Sequence, residues 1–159
     1  MGFTVREIDT RNRRDVRRFV DFPFELYRTS RLWSPPLRDG VRRALDRSRH
    51  PFYKHSDAAF FLAEREGRVR VRVAALENRR YNSYTGKSVA LINWFDAEDD
   101  PEAARAVLDA AAAWARVRGL TALVGPKGMH RTDSPGVLVE GFEHEAALGM
   151  PYNYDYYPR

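Results

Sequence analysis

The chain has no cysteine. Disulfides, thiolate catalysis and cysteine-ligated zinc are therefore all excluded. No apolar run approaches the roughly 20 residues that a membrane helix needs, and the amino terminus, MGFTVREIDT, lacks the apolar centre of a signal peptide. A cytoplasmic protein that makes no use of a membrane is the expectation. Lysine is scarce: of 27 basic residues 24 are arginine, the side chain suited to phosphate and carboxylate rather than to a point charge. The four histidines, His50, His55, His130 and His144, show no H-E-x-x-H or other ligand spacing, so no metal is expected. No G-x-S-x-G nucleophile motif occurs either.

What is present is a chain of 159 residues with 43% hydrophobic and 13% aromatic content, enough for the core of one domain. The net charge of +5 is unevenly placed. Residues 1–80 carry 20 basic against 11 acidic side chains, and residues 81–159 carry 7 against 11. Such an imbalance reads either as an anion-binding face or as solvated helix surfaces written in arginine.

Periodicity places the elements. FTVREI reads as a first strand, and the stretch from Asn12 as a helix with a Val16, Phe19, Val20 stripe, kinked or ended near Pro23. WSPPLRDG (33–40) is a turn, and Val41, Ala44 and Leu45 mark a short helix. DAAFFLAERE (57–66) and RVRVRVAAL (68–76) read as strands. The second has Val69, Val71 and Val73 on one face and Arg68, Arg70 and Arg72 on the other, so it should bury one side and wet the other. SVALINWF (88–95) is almost continuously apolar and is expected to be central.

The clearest helix is DDPEAARAVLDAAAAWARVRG, with Asp100 as N-cap, Pro101 at the first position and Gly119 past the end. LTALVGP (120–126) then reads as a short buried strand, and GVLVEGF (136–142) as one more strand-like piece. Antiparallel strands followed by a helical crossover define an α+β layered sheet in a single domain over residues 1–159.

In order, the pieces DFPFELYR, LWSPPLRDG, HPFYKHSDAAFFLAEREGRV, NWFDAEDDPEAARAVLDAAAAWARVRGL, LVGPKG, GVLVEGF and MPYNYDYY resemble a bacterial subgroup of GNAT-like proteins, the Gcn5-related N-acetyltransferase superfamily. The resemblance covers roughly residues 3–157. It implies a mixed, mainly antiparallel sheet flanked by helices and splayed between the strands at 88–95 and 120–125. Acetyl-CoA or another acyl-CoA would lie in that splay, its pyrophosphate on the amides that open the following helix. The matching positions for the cofactor are Trp94, Phe95, Asp96, Ala103 and Ala104, with Lys127 in GPKG as an added anion contact. The activity implied is acyl transfer to an amine. That chemistry asks for a polarised thioester carbonyl, a base or water chain for the amine, and an acid for the leaving thiolate. Tyr156 or Tyr157 would be the acid and Glu140 a base, with Glu143 and His144 beside it.

Two features depart from the family pattern. The loop FDAEDDPEAA (95–104) has no glycine where an R/Q-x-x-G-x-G/A motif would stand, and Asp96, Glu98, Asp99, Asp100 and Glu102 place negative charge there. Two unit charges about 4 Å apart repel by roughly 4 kcal/mol at an effective dielectric near 20. The same acids suit the positive end of a helix dipole, so the loop reads also as a cap alone. Secondly, PYNYDYYPR (151–159) carries four tyrosines and then stops. On the resemblance a C-terminal helix and closing strands would follow, so the expectation is an incomplete domain with an exposed sheet edge. That edge would pair with a second copy or with a protein partner that completes the fold.

The second functional class is a non-catalytic GNAT-fold module that binds a protein or nucleic acid through its basic half. Nucleic acid would use the arginine face of 68–73 with Arg79 and Arg80, and Tyr81 and Tyr84 would stack on bases.

Overall fold

The computed structural model describes residues 2–131, 133 and 135–158. Their chain runs β1 (Thr4–Glu7), α1 (Arg13–Leu26), α2 (Arg38–Leu45), a 3₁₀ turn (Pro51–Lys54), β2 (Asp57–Arg65), β3 (Arg68–Glu77), α3 (Arg79–Thr85), β4 (Val89–Ala97), α4 (Pro101–Val117) and β5 (Ala122–Val124). The five strands lie in the order β1-β2-β3-β4-β5, every pairing antiparallel except β4 with β5. That single parallel pair is the one that α4 connects, as a strand–helix–strand unit requires. The result is an α+β, mainly antiparallel mixed sheet with four helices.

Both faces of the sheet are buried. On one face Phe60, Leu62, Ala74, Leu76 and Leu91 pack against Phe19 and Val20 of α1 and Val41 and Leu45 of α2. On the other, Phe61, Val71, Val73 and Ala75 meet Ala103, Val107 and Ala111 of α4. The small α4 residues bring the helix close to the sheet. Its caps stand where the sequence places them: the Asp100 side chain accepts from Ala103 N at 3.1 Å, Pro101 is the first helical residue, and Gly119 adopts φ 72° after the last turn.

Several expectations are corrected. β3 does not have one wet face. Its register with β2 shifts at Arg70, so Val69 packs with the α1 side and Val71 with the α4 side. Arg72 is only 2% exposed. β4 is fourth of five strands, and β3 holds the centre. Residues 136–142 form no strand, because no neighbouring strand lies there to take their hydrogen bonds. Arg79–Thr85, to which the sequence pattern assigns no element, is a helix: Asn78 caps it by accepting from Tyr81 N at 3.0 Å, and Gly86 ends it at φ 66°.

Pro23 neither ends nor splits α1, which runs on to Leu26. A proline inside a helix leaves the carbonyl four residues earlier without a donor. Here that carbonyl belongs to Phe19, and it accepts from Arg72 Nη1 at 2.7 Å. A side chain from the sheet replaces the missing helix bond.

Two predictions follow from this packing. Phe60 is fully buried between Phe19 and Trp94, so Phe60→Ala is expected to lose about 3–5 kcal/mol, read as a lower urea midpoint with unchanged slope. The second concerns acid. Arg6 bridges Asp15 at 2.9 Å and Glu64 at 3.0 Å, and its guanidinium holds the Asp15 carboxyl below the usual carboxylate range. A depressed carboxyl contributes stability above its unfolded pKa of about 3.9 and loses it as pH falls through the folded value. Asp15→Asn should flatten the fall of the urea midpoint below about pH 4.

Candidate functional site

The site begins where β4 and β5 part. Their pairing covers Val89 with Ala122, Ala90 with Leu123 and Leu91 with Val124, and then stops. Gly125 comes so close to β4 that a Cβ would lie 2.4 Å from the Ile92 carbonyl oxygen, and that oxygen accepts from Lys127 N at 2.7 Å. Beyond this point β4 continues while the chain after β5 turns aside. β4 also bulges here: its register with β3 skips between Asn93 and Asp96, and Trp94 takes φ 46°. The parted strands leave a cleft of about 320 Å³ whose walls include Asn93, Trp94, Asp96, Pro126 and Tyr157.

Asn93 is the distinctive group in this cleft. It is 9% exposed, and its side-chain amide has no hydrogen-bond partner among the described residues. A buried polar side chain is ordinarily satisfied within the protein. This one presents a donor and an acceptor to the cleft.

Beneath it lies a polar chain that is fully engaged. Arg72 pairs with Asp96 at 2.7 Å. The Tyr27 hydroxyl donates to the other Asp96 oxygen at 3.1 Å and lies 3.3 Å from the Tyr157 hydroxyl. Tyr157 in turn accepts from Ala97 N at 2.6 Å, and Tyr156 donates to the Ala97 carbonyl at 2.6 Å. Burial, and then the charge of Asp96, pushes the Tyr27 and Tyr157 hydroxyls well above the ordinary phenol value. Burial raises Tyr156 in the same direction. All three are neutral hydrogen-bonding groups at neutral pH. The tyrosine-rich segment is thus docked on the end of β4 by Tyr156 and Tyr157, and Tyr154 donates to the Leu26 carbonyl at 3.2 Å.

The sequence-derived candidates fall into three places. Trp94 and Asp96 line the cleft with Phe95, whose ring meets that of Tyr157 at 5.7 Å. Lys127 gives its backbone to the parting of the strands but sends its ammonium over the Tyr81 ring, 4.4 Å from the centroid, into a different cleft. Glu140 is exposed in a loop lining a shallow apolar hollow, and Glu143 pairs with His144 at 3.2 Å. Neither Glu140, Glu143 nor His144 lines the cleft between β4 and β5.

The start of α4 does not fit a pyrophosphate. Ala103 N donates to the Asp100 side chain and Ala104 N to the Asp100 carbonyl at 2.9 Å. The acids are answered by the β2–β3 hairpin: Arg65 meets Asp100 at 3.2 Å and Glu102 at 3.7 Å, while Arg68 and Arg70 take Glu98. Two of the first-turn amides and the charge of the neighbouring arginines are thus already used. The arginine face of 68–73 is spent in the same way, with Arg68 and Arg70 ion-paired and Arg72 buried.

Asn93 and the Arg72–Asp96 pair were not singled out by sequence reasoning. Asn93 did leave a signal, as a lone amide inside the apolar run VALINWF. Among the described residues no group of three or more potential metal ligands is found, and no helix is long and apolar enough to cross a membrane.

No protein-family model matches the chain. It is 28% identical over 146 residues to Protein YghO of Escherichia coli (strain K12), covering 92% of this chain and 37% of that protein. It is 32% identical over 130 residues to a bacterial ceramide synthase of Caulobacter vibrioides, covering 81% of this chain and 34% of that protein. The chain therefore spans about a third of the length of these relatives. In structure it is similar to a tandem GNAT protein from the clavulanic acid biosynthesis pathway, with a TM-score of 0.59 at 16% identity, over 80% of this chain and 39% of the other. The fold is GNAT-like.

The Arg72–Asp96 pair can be tested directly. Arg72→Met leaves a shielded carboxylate without its cation and should cost about 3–5 kcal/mol. Arg72→Met combined with Asp96→Asn should lose less than the two single changes summed, as measured by urea unfolding.

Proposed function

We propose that this chain contributes the reaction cleft of an N-acyltransferase, in which an amine and an acyl carbonyl meet between the parted ends of β4 and β5. The observation that carries this reading is Asn93, a mostly buried residue at the β4 bulge that lines the cleft and whose side-chain amide has no hydrogen-bond partner among the described residues. Its NH₂ is suited to donate to a carbonyl oxygen on which negative charge develops, the role in which one fixed donor contributes most to acyl transfer. Trp94 and Pro126 supply apolar walls that limit water. Tyr157 stands at the cleft as a neutral donor, although its hydroxyl is already engaged with Ala97 and Tyr27. Its part is to hold the end of β4 and to keep a protonated phenol beside the leaving group.

Similarity to a protein named bacterial ceramide synthase supports an amide as the product. We extend to this chain only the class of reaction, with an acyl thioester as donor. Because Pro101 lacks an N–H, Ala103 N and Ala104 N are taken by Asp100, and carboxylates crowd the start of α4, an acyl-CoA would have to place its phosphates elsewhere.

The closed α4 terminus favours one other reading, a GNAT-fold module that binds a partner and catalyses nothing. β5 pairs on one side only among the described residues, and Val124 is 37% exposed. A partner strand, from a second copy or another protein, would add there.

The absence of cysteine makes a thiol assay clean, since any free thiol must come from the donor. Acyl-CoA donors of several lengths are incubated with the chain and a panel of primary amines. Acyl transfer requires amine-dependent thiol release, and Asn93→Ala should slow it by about 10²–10³-fold if the amide stabilises the oxyanion. No release from folded protein would leave the binding-module reading.

A further inference from the structure

A second and larger cleft, of about 960 Å³, opens on the α1–α2 side of the sheet between the 3₁₀ turn, α3 and the segment after β5. Its floor is apolar: Phe52, Leu91 and Met129 are each less than 7% exposed and belong to the main core cluster. Its rim is cationic. Lys54, Arg80, Lys127 and Arg131 all line it, and among the described residues none of the four has a carboxylate partner. The one lining carboxylate is Asp133, and its Oδ2 accepts from His130 N at 2.9 Å.

This pattern differs from that at the start of α4. There the arginines of β2 and β3 are matched by Asp100, Glu102 and Glu98. Here the positive charge is left over, and it stands around a concavity with an apolar floor. Low-dielectric walls concentrate such a field. Lys127 is held in place at both ends, its backbone N–H on Ile92 O and its ammonium over the Tyr81 ring. A cation over a ring keeps its N–H donors for an anion. Phe52 and Tyr81 add aromatic surface beside the charges.

We propose that this cleft is a binding site for a small ligand that joins a phosphate to an apolar or flat ring portion. The phosphate would sit among Lys54, Arg80 and Lys127, and the ring would rest on Phe52, Leu91 and Met129. The site stands independently of acyl transfer. It also adjoins the reaction cleft, because Lys127 follows Pro126 at the parting of β4 and β5 and Asp133 lines both clefts.

The probe is phenyl phosphate, titrated calorimetrically into the chain at about 0.15 M ionic strength, with inorganic phosphate and phenol as the two halves of the ligand. Saturable one-to-one binding at least tenfold tighter than either half is expected. Arg80→Gln with Lys127→Gln should weaken it at least tenfold. Arg13→Gln with Arg17→Gln removes the same charge from a separate arginine-lined hollow beside α1 and should change it less than twofold, since at this ionic strength charges more than about 8 Å away are largely screened. If the first pair unfolds the protein, Lys54→Gln with Arg131→Gln serves in its place. Equal binding of inorganic phosphate, equal loss in both pairs of variants, or no saturable binding would each overturn the proposal.

Discussion

The buried guanidinium of Arg72 is the constraint on which the rest of this structure turns. A charge this far from water is tolerated only when its donors and its charge are all answered. It is answered twice, by the Phe19 carbonyl that Pro23 leaves free and by the carboxylate of Asp96. One side chain therefore ties α1 to the middle of the sheet and fixes the far end of β4. Asp96 passes the constraint onward to Tyr27, and the Tyr27 and Tyr157 hydroxyls lie together over Ala97. The proline, the arginine and the tyrosine-rich segment lie far apart in sequence, with 130 residues between Tyr27 and Tyr157 alone, yet they form one connected polar chain.

That chain explains why the β4 end can diverge from β5 without fraying. A strand that loses its neighbour exposes unpaired amides and carbonyls. At Ala97 both groups are taken by tyrosine hydroxyls, and at Ile92 the carbonyl is taken by Lys127 N. Between these two anchored points lie the bulge, the left-handed Trp94 and Asn93, whose amide has no partner among the described residues. The cleft is an opening held on both sides by satisfied backbone.

Charge is distributed in a matching way. The acidic loop before α4 and the arginine-rich β2–β3 hairpin neutralise one another, and this closes a helix N-terminus that would otherwise attract an anion. Part of the positive charge that remains stands around the larger cleft, at Lys54, Arg80, Lys127 and Arg131. Anion binding and amide chemistry are thereby assigned to two adjoining places.

Much of the fold was legible in the residues. Alternation and apolar runs marked β2 and β3, the Asp100–Pro101 start and Gly119 stop bounded α4, and the order of strands and helix implied the one parallel pair. Local signals suffice there, because capping and periodicity act within a few residues. The site was less legible. VALINWF announced a strand with an amide inside it, but nothing local said that β5 would end opposite Leu91 and leave Asn93 facing a cleft. RVRVRV promised a wet arginine face, whereas a bulge at Arg70 and two distant acceptors buried Arg72. GVLVEGF had a strand's composition and found no strand to pair with. The sequence by itself determined the elements, their caps and the excess of positive charge. The family resemblance placed the opening of the sheet between 88–95 and 120–125, and tertiary structure alone decided which charges were cancelled and which amide lacks a partner among the described residues, because each depends on residues brought together from distant parts of the chain.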